Sequence, residues 1–216
     1  KGCFQKSFMS SSVKSGPIPA GRLQRGSSSS DNYISKFRQV LIRHGLTMTV
    51  IAIICLFVPF ILDDFNSSLS KLFLSPSKYF VWFLAVTLFI FGYLKFTKKN
   101  LNVRQIAWIC YLFVISVVEE IGFRLGLPLL FTSEFIGIDI FWIGVILSNF
   151  IFATIHYFTL RWKLTACVFT FLGGMGFSRL FSVTGDLALV ILVHWAVTFL
   201  NTPSAPKGLN NSNLKG

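Results

Sequence analysis

The hydrophobic residues of this chain fall into long runs, and polar or charged residues separate them. The runs cover residues 45–62, 79–96, 105–130, 135–160, 164–182 and 187–201. Each approaches the roughly 17–25 residues that an α-helix needs to cross a bilayer, although the last run is short. Backbone groups in hydrocarbon must bond within their own segment, so the runs predict helices. They lack the alternation of a membrane β-barrel.

The two ends of the chain have a different composition. Residues 1–43 are rich in Ser, Gly and basic residues and contain one acid, Asp31, which is typical of a disordered tail. A transit peptide is the alternative, but the segment lacks an amphipathic Arg-rich helix, which favours a cytoplasmic tail. Residues 44–201 are predicted to form the transmembrane domain, and residues 202–216 a short flexible tail.

The overall composition excludes a soluble enzyme. Of the 216 residues, 53% are hydrophobic and 13% are charged, whereas an ordinary soluble domain has about 25% charged residues. The eight acidic residues cannot cover a soluble surface. The predicted fold class is therefore all-α, a polytopic integral membrane bundle of about six transmembrane helices with the lipid bilayer as its partner.

The basic residues lie mainly between the apolar runs. The net charge is +12, but 16 of the 20 Lys and Arg residues are in the tails and in the 95–104 and 161–163 loops. Six spans with both ends in the cytoplasm satisfy the positive-inside rule. We therefore interpret the charge as a topology signal and expect no nucleic-acid partner.

A group of five ionisable residues lies within the third, fourth and sixth apolar runs, where a charge costs about 2.5–3.5 kcal/mol on insertion scales. They are Glu119, Glu120, Arg124, His156 and His194. Membrane packing does not require such a set, so these residues predict a functional site.

Helix spacing indicates how these side chains could meet. Residues four apart share a helix face, and three such pairs occur: Glu120 with Arg124, Phe152 with His156, and His194 with Thr198. Gly122 and Gly126 form a GxxxG step that lets another helix approach the Glu119 region closely. Asn149 lies on the face of His156 and could bond within the site or between helices.

Two kinds of chemistry suit these residues. A carboxylate in a low-dielectric pocket suits a general base, and a histidine opposite could help it activate a water. The alternative is a metal site in which Glu119, His156 and His194 bind zinc.

The order of these motifs resembles the CAAX-protease and bacteriocin-processing family of intramembrane glutamic-type endopeptidases. The family pattern is EExxxR, FxxxH and HxxxN or HxxxD. The chain has Glu119-Glu120-Ile121-Gly122-Phe123-Arg124, then Phe152-Ala153-Thr154-Ile155-His156, then His194-Trp195-Ala196-Val197-Thr198. The resemblance covers about residues 105–201, the motif core.

The resemblance implies a role for each motif residue. Glu119 would activate water with the help of His156, and His194 with the residue at 198 would stabilise the oxyanion. Glu120, Arg124 and Phe152 would support them. No cofactor is required in the mechanism now preferred for the family, and zinc is the alternative.

Two features depart from a simple match. Thr198 stands where the family has Asn or Asp, and Asn201, seven residues after His194, could substitute.

Glu119 is predicted near mid-membrane, whereas His156 lies five residues before Arg161 at the cytoplasmic edge. A bent helix would reconcile the two depths, and Gly122, Gly126 and Pro128 offer places to bend.

The resemblance predicts an endopeptidase that cleaves a membrane-associated or lipid-proximal protein or peptide. Two alternatives remain: a catalytically impaired relative acting as a membrane immunity or interaction protein, and a small transporter with a carboxylate–histidine relay. The favoured location is a bacterial inner membrane, and a plastid or endoplasmic reticulum membrane is the alternative.

Overall fold

The computed structural model describes residues 36–133 and 140–206 of the chain. Within these ranges the chain forms helices and no β-strand, which confirms the all-α prediction. The helices are α1 (Phe37–Leu56), α2 (Pro59–Leu74), α3 (Pro76–Phe96), α4 (residues 103–133), α5 (Ile140–Thr159), α6 (Leu164–Thr184) and α7 (Leu187–Asn201).

Five of the helices in the described ranges are long and apolar enough to cross a membrane, namely α1, α3, α4, α5 and α6. The remaining predicted span, α7, is apolar but has 15 residues. At 1.5 Å per residue it rises about 22 Å, less than the roughly 30 Å hydrocarbon core. Large side chains such as Phe80, Phe96 and Phe169 are exposed on the outside of the bundle. This polytopic helical bundle is an integral membrane protein.

The first predicted span, 45–62, is shifted and broken in the structure. α1 starts at Phe37 and ends at Leu56, and a separate helix, α2, starts at Pro59. Proline lacks a backbone N–H and disfavours helical backbone in the residue before it. Val58 is accordingly extended, and Pro59 opens the first turn of α2.

The other predicted spans agree with the helices more closely. The 79–96 run lies within α3, and the 105–130 run lies within α4. The 164–182 and 187–201 runs correspond to α6 and α7. The predicted tails fall largely on residues 1–35 and 207–216, and the start of the fourth span on 134–139, all outside the described residues.

Two helices contain a π-helical turn beside ionisable residues. The turn in α1 is Leu41–Gly45, which includes His44, and the turn in α4 is Ile121–Gly126, directly after Glu120. A π-helical turn holds an extra residue and often occurs at a functional site. The irregularity in α4 contains Gly122 and Gly126, two of the positions at which the sequence predicts a bend.

α4 is the central helix, and it packs against α1, α5 and α7. A Cβ added at Gly126 would lie 2.5 Å from the Cys55 Sγ, and one at Gly122 would lie 3.5 Å from the Ile51 Cγ2. The GxxxG step therefore receives α1 at close range, as predicted. This packing brings the first helix beside the acidic doublet.

The start of α7 is fixed by a polar junction away from the doublet. The Asp186 carboxylate accepts hydrogen bonds from the Leu189 backbone N–H at 3.1 Å and the Tyr79 hydroxyl at 2.8 Å. The Lys78 Nζ lies 3.2 Å from the same carboxylate. Asp186 thus caps α7 and joins it to α3.

Candidate active site

Glu119 is the centre of a buried cluster of three histidines. Its carboxylate Oε1 lies 2.8 Å from the His44 Nε2 and 3.7 Å from the His156 Nε2. Its Oε2 lies 3.5 Å from the His194 Nε2. All four residues are buried. The imidazoles come from α1, α5 and α7, so three helices converge on one carboxylate of α4.

The second nitrogen of each histidine is held by an oxygen atom. The partners are Phe152 O for His156 at 2.8 Å, Glu120 Oε1 for His194 at 2.5 Å and Thr159 Oγ1 for His44 at 2.9 Å. A hydrogen bond at Nδ1 fixes the orientation of an imidazole ring. Each ring is therefore held with its Nε2 turned towards Glu119.

Arg124 pairs with Glu120, as their four-residue spacing predicts. Its side chain is fully buried, and its Nε lies 3.3 Å from the Glu120 Oε2. The guanidinium carbon lies 4.7 Å from the centre of the Phe152 ring and 5.6 Å from that of Phe177. A carboxylate and two aromatic faces thus stabilise this buried cation.

The same aromatic rings contact the histidines. The Phe152 ring centre lies 4.4 Å from that of His156, and the Phe177 ring centre lies 4.6 Å from that of His194. Phe152 therefore packs beside the imidazole, as its four-residue spacing predicts. Phe177 belongs to α6 and lies outside the sequence motifs, so no local pattern predicts its place in the site.

Asn149 joins two helices. Its Nδ2 donates to the Ser178 Oγ of α6 at 3.0 Å and to the Val145 carbonyl at 2.8 Å. Of its two predicted uses, these contacts favour the interhelical one. The site and the α5–α6 contact are adjacent, because Gly174 lies against the Asn149 amide oxygen and near the Arg124 guanidinium.

Two further candidate residues, Thr198 and Asn201, lie on the last turns of α7, after His194 in the sequence. Thr198 is half-buried, one turn after His194. Its backbone carbonyl accepts hydrogen bonds from the Thr202 N–H and hydroxyl in the last turn of α7. Asn201 is the exposed last residue of α7. The structure thus brings Glu119, Glu120, Arg124, His156 and His194 into one buried cluster.

His44 is the site residue that sequence reasoning missed. The first apolar run of the sequence begins at residue 45, so His44 lies one position outside the predicted spans. The signal that could have identified His44 is the rarity of histidine, because the chain has three histidines and the other two lie in the motifs. In the structure His44 makes the shortest contact with Glu119 of the three.

Three of these side chains could hold a metal ion. His44, Glu119 and His156 each offer one ligand atom, and these atoms lie within 4.8 Å of one another. Tetrahedral zinc bonds of about 2.0–2.1 Å place ligand atoms about 3.4 Å apart, and the two His–Glu119 separations of 2.8 and 3.7 Å lie on either side of that value. The zinc site predicted from the sequence contained His194 instead of His44.

Comparison with protein families identifies the segment that carries the motifs. The model of the Rce1-like family, described as type II CAAX prenyl endopeptidase Rce1-like, matches residues 102–200. Residues 102–200 are therefore similar to this family. The Rce1-like segment contains the acidic doublet, Arg124, His156 and His194, but not His44. Comparisons with curated proteins and with solved structures gave no significant match.

The family and the fold together give the general class of the protein. An Rce1-like segment within a bundle of apolar helices indicates an intramembrane endopeptidase of the CAAX type. Its substrate is then a protein or peptide, and its surroundings are a lipid bilayer. These conclusions agree with the resemblance seen in the three sequence motifs.

Proposed function

We propose that this protein hydrolyses a peptide bond of a membrane-associated or lipid-proximal protein, using a water activated by Glu119. The observation that supports this most strongly is the convergence of three imidazole Nε2 atoms on the buried Glu119 carboxylate. A carboxylate flanked by oriented imidazoles can accept a proton from water and stabilise the charges that follow.

In the proposed reaction Glu119 takes a proton from water while the water oxygen attacks the carbonyl carbon. His156 holds the water, and His194 and Thr198 stabilise the oxyanion. The carbon–nitrogen bond then breaks, and the proton passes from Glu119 to the leaving nitrogen. The products are a new carboxyl terminus and a free amine, so atoms and charge balance without a further reactant.

We also propose the supporting roles that the contacts favour. Glu120 orients His194, while Arg124 neutralises Glu120. Phe152 packs against both the Arg124 guanidinium and the His156 ring. Asn149 fixes α6 against α5 behind them. Asn201 remains a proposed substitute for the amide that the family pattern has in place of Thr198.

This mechanism requires no cofactor. A zinc ion on His44, Glu119 and His156 is the alternative, and the spacing of their ligand atoms favours considering it. Zinc would polarise the carbonyl and lower the pKa of a bound water. We expect cleavage to continue in the presence of chelators. If chelators abolish cleavage and added zinc restores it, the metal mechanism is favoured.

The proposed substrate is a peptide presented at the membrane, and the family description suggests a prenylated terminus as the first to test. The favoured location is a bacterial inner membrane, with a plastid or endoplasmic reticulum membrane as the alternative. Purified protein in detergent should be incubated with farnesylated and unlipidated versions of the same peptides, and the products identified by mass spectrometry.

The decisive variants are Glu119→Ala and His156→Ala, with Asp63→Ala as a control because Asp63 is an exposed acid on α2. We expect cleavage to be lost in the first two variants and kept in the control. Equal cleavage by wild type and Glu119→Ala would refute the assigned base. A wild-type protein that cleaves no peptide would favour the impaired relative that the Thr198 departure suggests.

A further inference from the structure

His44 has hydrogen bonds at both ring nitrogens, and their directions can be assigned. The Thr159 hydroxyl donates its single proton to the Ile155 carbonyl at 2.7 Å. Its oxygen must therefore accept from the His44 Nδ1–H at 2.9 Å. The His44 Nε2 meets the Glu119 Oε1 at 2.8 Å, a hydrogen-bond distance that also requires a proton between the two atoms.

His44 is the nearest side-chain partner of Glu119 among the ionisable groups around it. The other ionisable groups of the cluster are Glu120, Arg124, His156, His194 and Tyr111. Arg124 is paired with Glu120, and the Nε2 atoms of His156 and His194 lie 3.5 Å or more from Glu119. The His44 Nε2, at 2.8 Å, is therefore the closest of these partners to the Glu119 carboxylate.

The position of His44 depends on how α1 packs. The GxxxG step of α4 receives the Ile51–Cys55 turn of α1. One further contact lies nearer the site, where a Cβ at Gly45 would be 3.4 Å from the Tyr111 ring. Gly45 is the last residue of the π-helical turn Leu41–Gly45, which includes His44. A helix outside the Rce1-like match thus supplies the closest partner of Glu119.

We propose that His44 is a positioning residue for Glu119, and that Thr159, His44 and Glu119 form one hydrogen-bonded chain. His44 holds Oε1 and fixes the orientation of the carboxylate, so that Oε2 is left to take the proton from water. This inference rests on the proposed function and extends it to a helix that the family match does not include. It assigns no contact between His44 and substrate.

The test compares substitutions along this chain in the full-length protein in detergent. The variants are His44→Ala, His44→Gln, Thr159→Val and Thr159→Ser. Thr154→Val is the matched control, because Thr154 lies on the same helix and its hydroxyl likewise bonds to a carbonyl four residues earlier, Phe150 O at 2.8 Å. The measurements are kcat, KM, the unfolding temperature and the effect of added imidazole.

We expect His44→Ala and His44→Gln to lower kcat by about 10²-fold or more while KM stays within about threefold. Imidazole should restore activity to His44→Ala, where it can occupy the vacated space, and not to His44→Gln. Thr159→Val should lower kcat by about tenfold, as expected for the loss of an orienting hydrogen bond. Thr159→Ser and Thr154→Val should behave as the wild type.

Three results would overturn the inference. The first is wild-type kcat in His44→Gln while Glu119→Ala is inactive. The second is one zinc ion per wild-type chain that His44→Gln no longer binds, since His44 would then be a ligand. The third is a double variant whose loss of unfolding temperature equals the sum of the losses in His44→Gln and Glu119→Gln. Two side chains that share a hydrogen bond should instead give a non-additive loss. Failure of the proposed function looks different, since Glu119→Ala would then cleave like the wild type.

Discussion

Glu120 and His194 are in direct contact, with the Glu120 Oε1 2.5 Å from the His194 Nδ1. The other oxygen of Glu120 lies 3.3 Å from the Arg124 Nε. Glu120 therefore orients an imidazole with one oxygen and neutralises a guanidinium with the other. The two acids of the doublet thus have different surroundings, because Glu119 faces three Nε2 atoms and Glu120 faces one Nδ1 and a cation.

The Glu120–Arg124 pair should show strong energetic coupling. Glu120→Gln leaves a buried guanidinium without a counter-ion, and Arg124→Met leaves a buried carboxylate, so each should destabilise the fold by about 3–5 kcal/mol. The double variant removes both charges and should lose less than the sum. Unfolding in detergent measures all three free energies. Strictly additive losses would show that the two side chains do not act as a pair.

Two adjacent glycines of α6 should differ in their tolerance of a methyl group. A Cβ at Gly174 would collide with the Asn149 amide oxygen and lie 3.4 Å from an Arg124 terminal nitrogen, whereas one at Gly173 would meet nothing within 4 Å. We expect Gly174→Ala to cost about 1–3 kcal/mol of stability and to lower kcat. Gly173→Ala should leave both unchanged. Equal effects of the two variants on unfolding and cleavage would contradict the described α5–α6 contact.

Thr198 offers a direct test of the departure from the family pattern. An asparagine amide reaches further than a hydroxyl, and one oxyanion donor is worth about 10²–10³ in rate. If the hydroxyl already supplies part of this stabilisation, Thr198→Asn should raise kcat about tenfold. Thr170→Asn on α6 is the control, since the Thr170 hydroxyl bonds to the Ala166 carbonyl. An unchanged kcat in Thr198→Asn would remove position 198 from the mechanism.

The Asp186 junction should make stability depend on pH in the acid range. Burial raises the pKa of the Asp186 carboxyl, but hydrogen bonds from the Leu189 N–H, Tyr79 and Lys78 outweigh it and lower the pKa below its ordinary value. A carboxyl whose pKa is lowered on folding contributes stability above its unfolded pKa, about 3.9, and loses it as pH falls through the folded pKa.

The measurement is the unfolding temperature of wild type and Asp186→Asn between neutral pH and about pH 3. The wild type should lose more stability on acidification than the variant, because the variant has no carboxylate to protonate. Above pH 5 the variant should be the less stable of the two. Parallel curves for the two proteins would show that Asp186 makes no pH-dependent contribution.

The sequence was informative where local spacing determines the geometry. The four-residue spacing of Glu120 and Arg124 predicts their pairing, and the GxxxG step predicts the close approach of a second helix. Both features depend on the regular helix alone, and both are present. The three Rce1-like motifs likewise identify the helices α4, α5 and α7 that surround Glu119.

The sequence was less informative where the result depends on a helix boundary or on packing between distant segments. Taking the first span to begin at residue 45 excluded His44 by a single position. Pro59 was a signal for the break after Leu56, but the apolar residues on both sides of it concealed the turn. Phe177 contacts Arg124 and His194 only because α6 packs there, and no local pattern predicts that.

The central claim is that the Glu119 carboxylate activates water for peptide hydrolysis. The most direct measurement is the single-turnover cleavage rate of Glu119→Gln, in which the side chain keeps its size and loses its charge and basicity. We predict a loss of about 10³-fold or more, in line with the loss of a general base, with substrate still bound and the protein still folded. A Glu119→Gln rate within about threefold of the wild type would contradict the account.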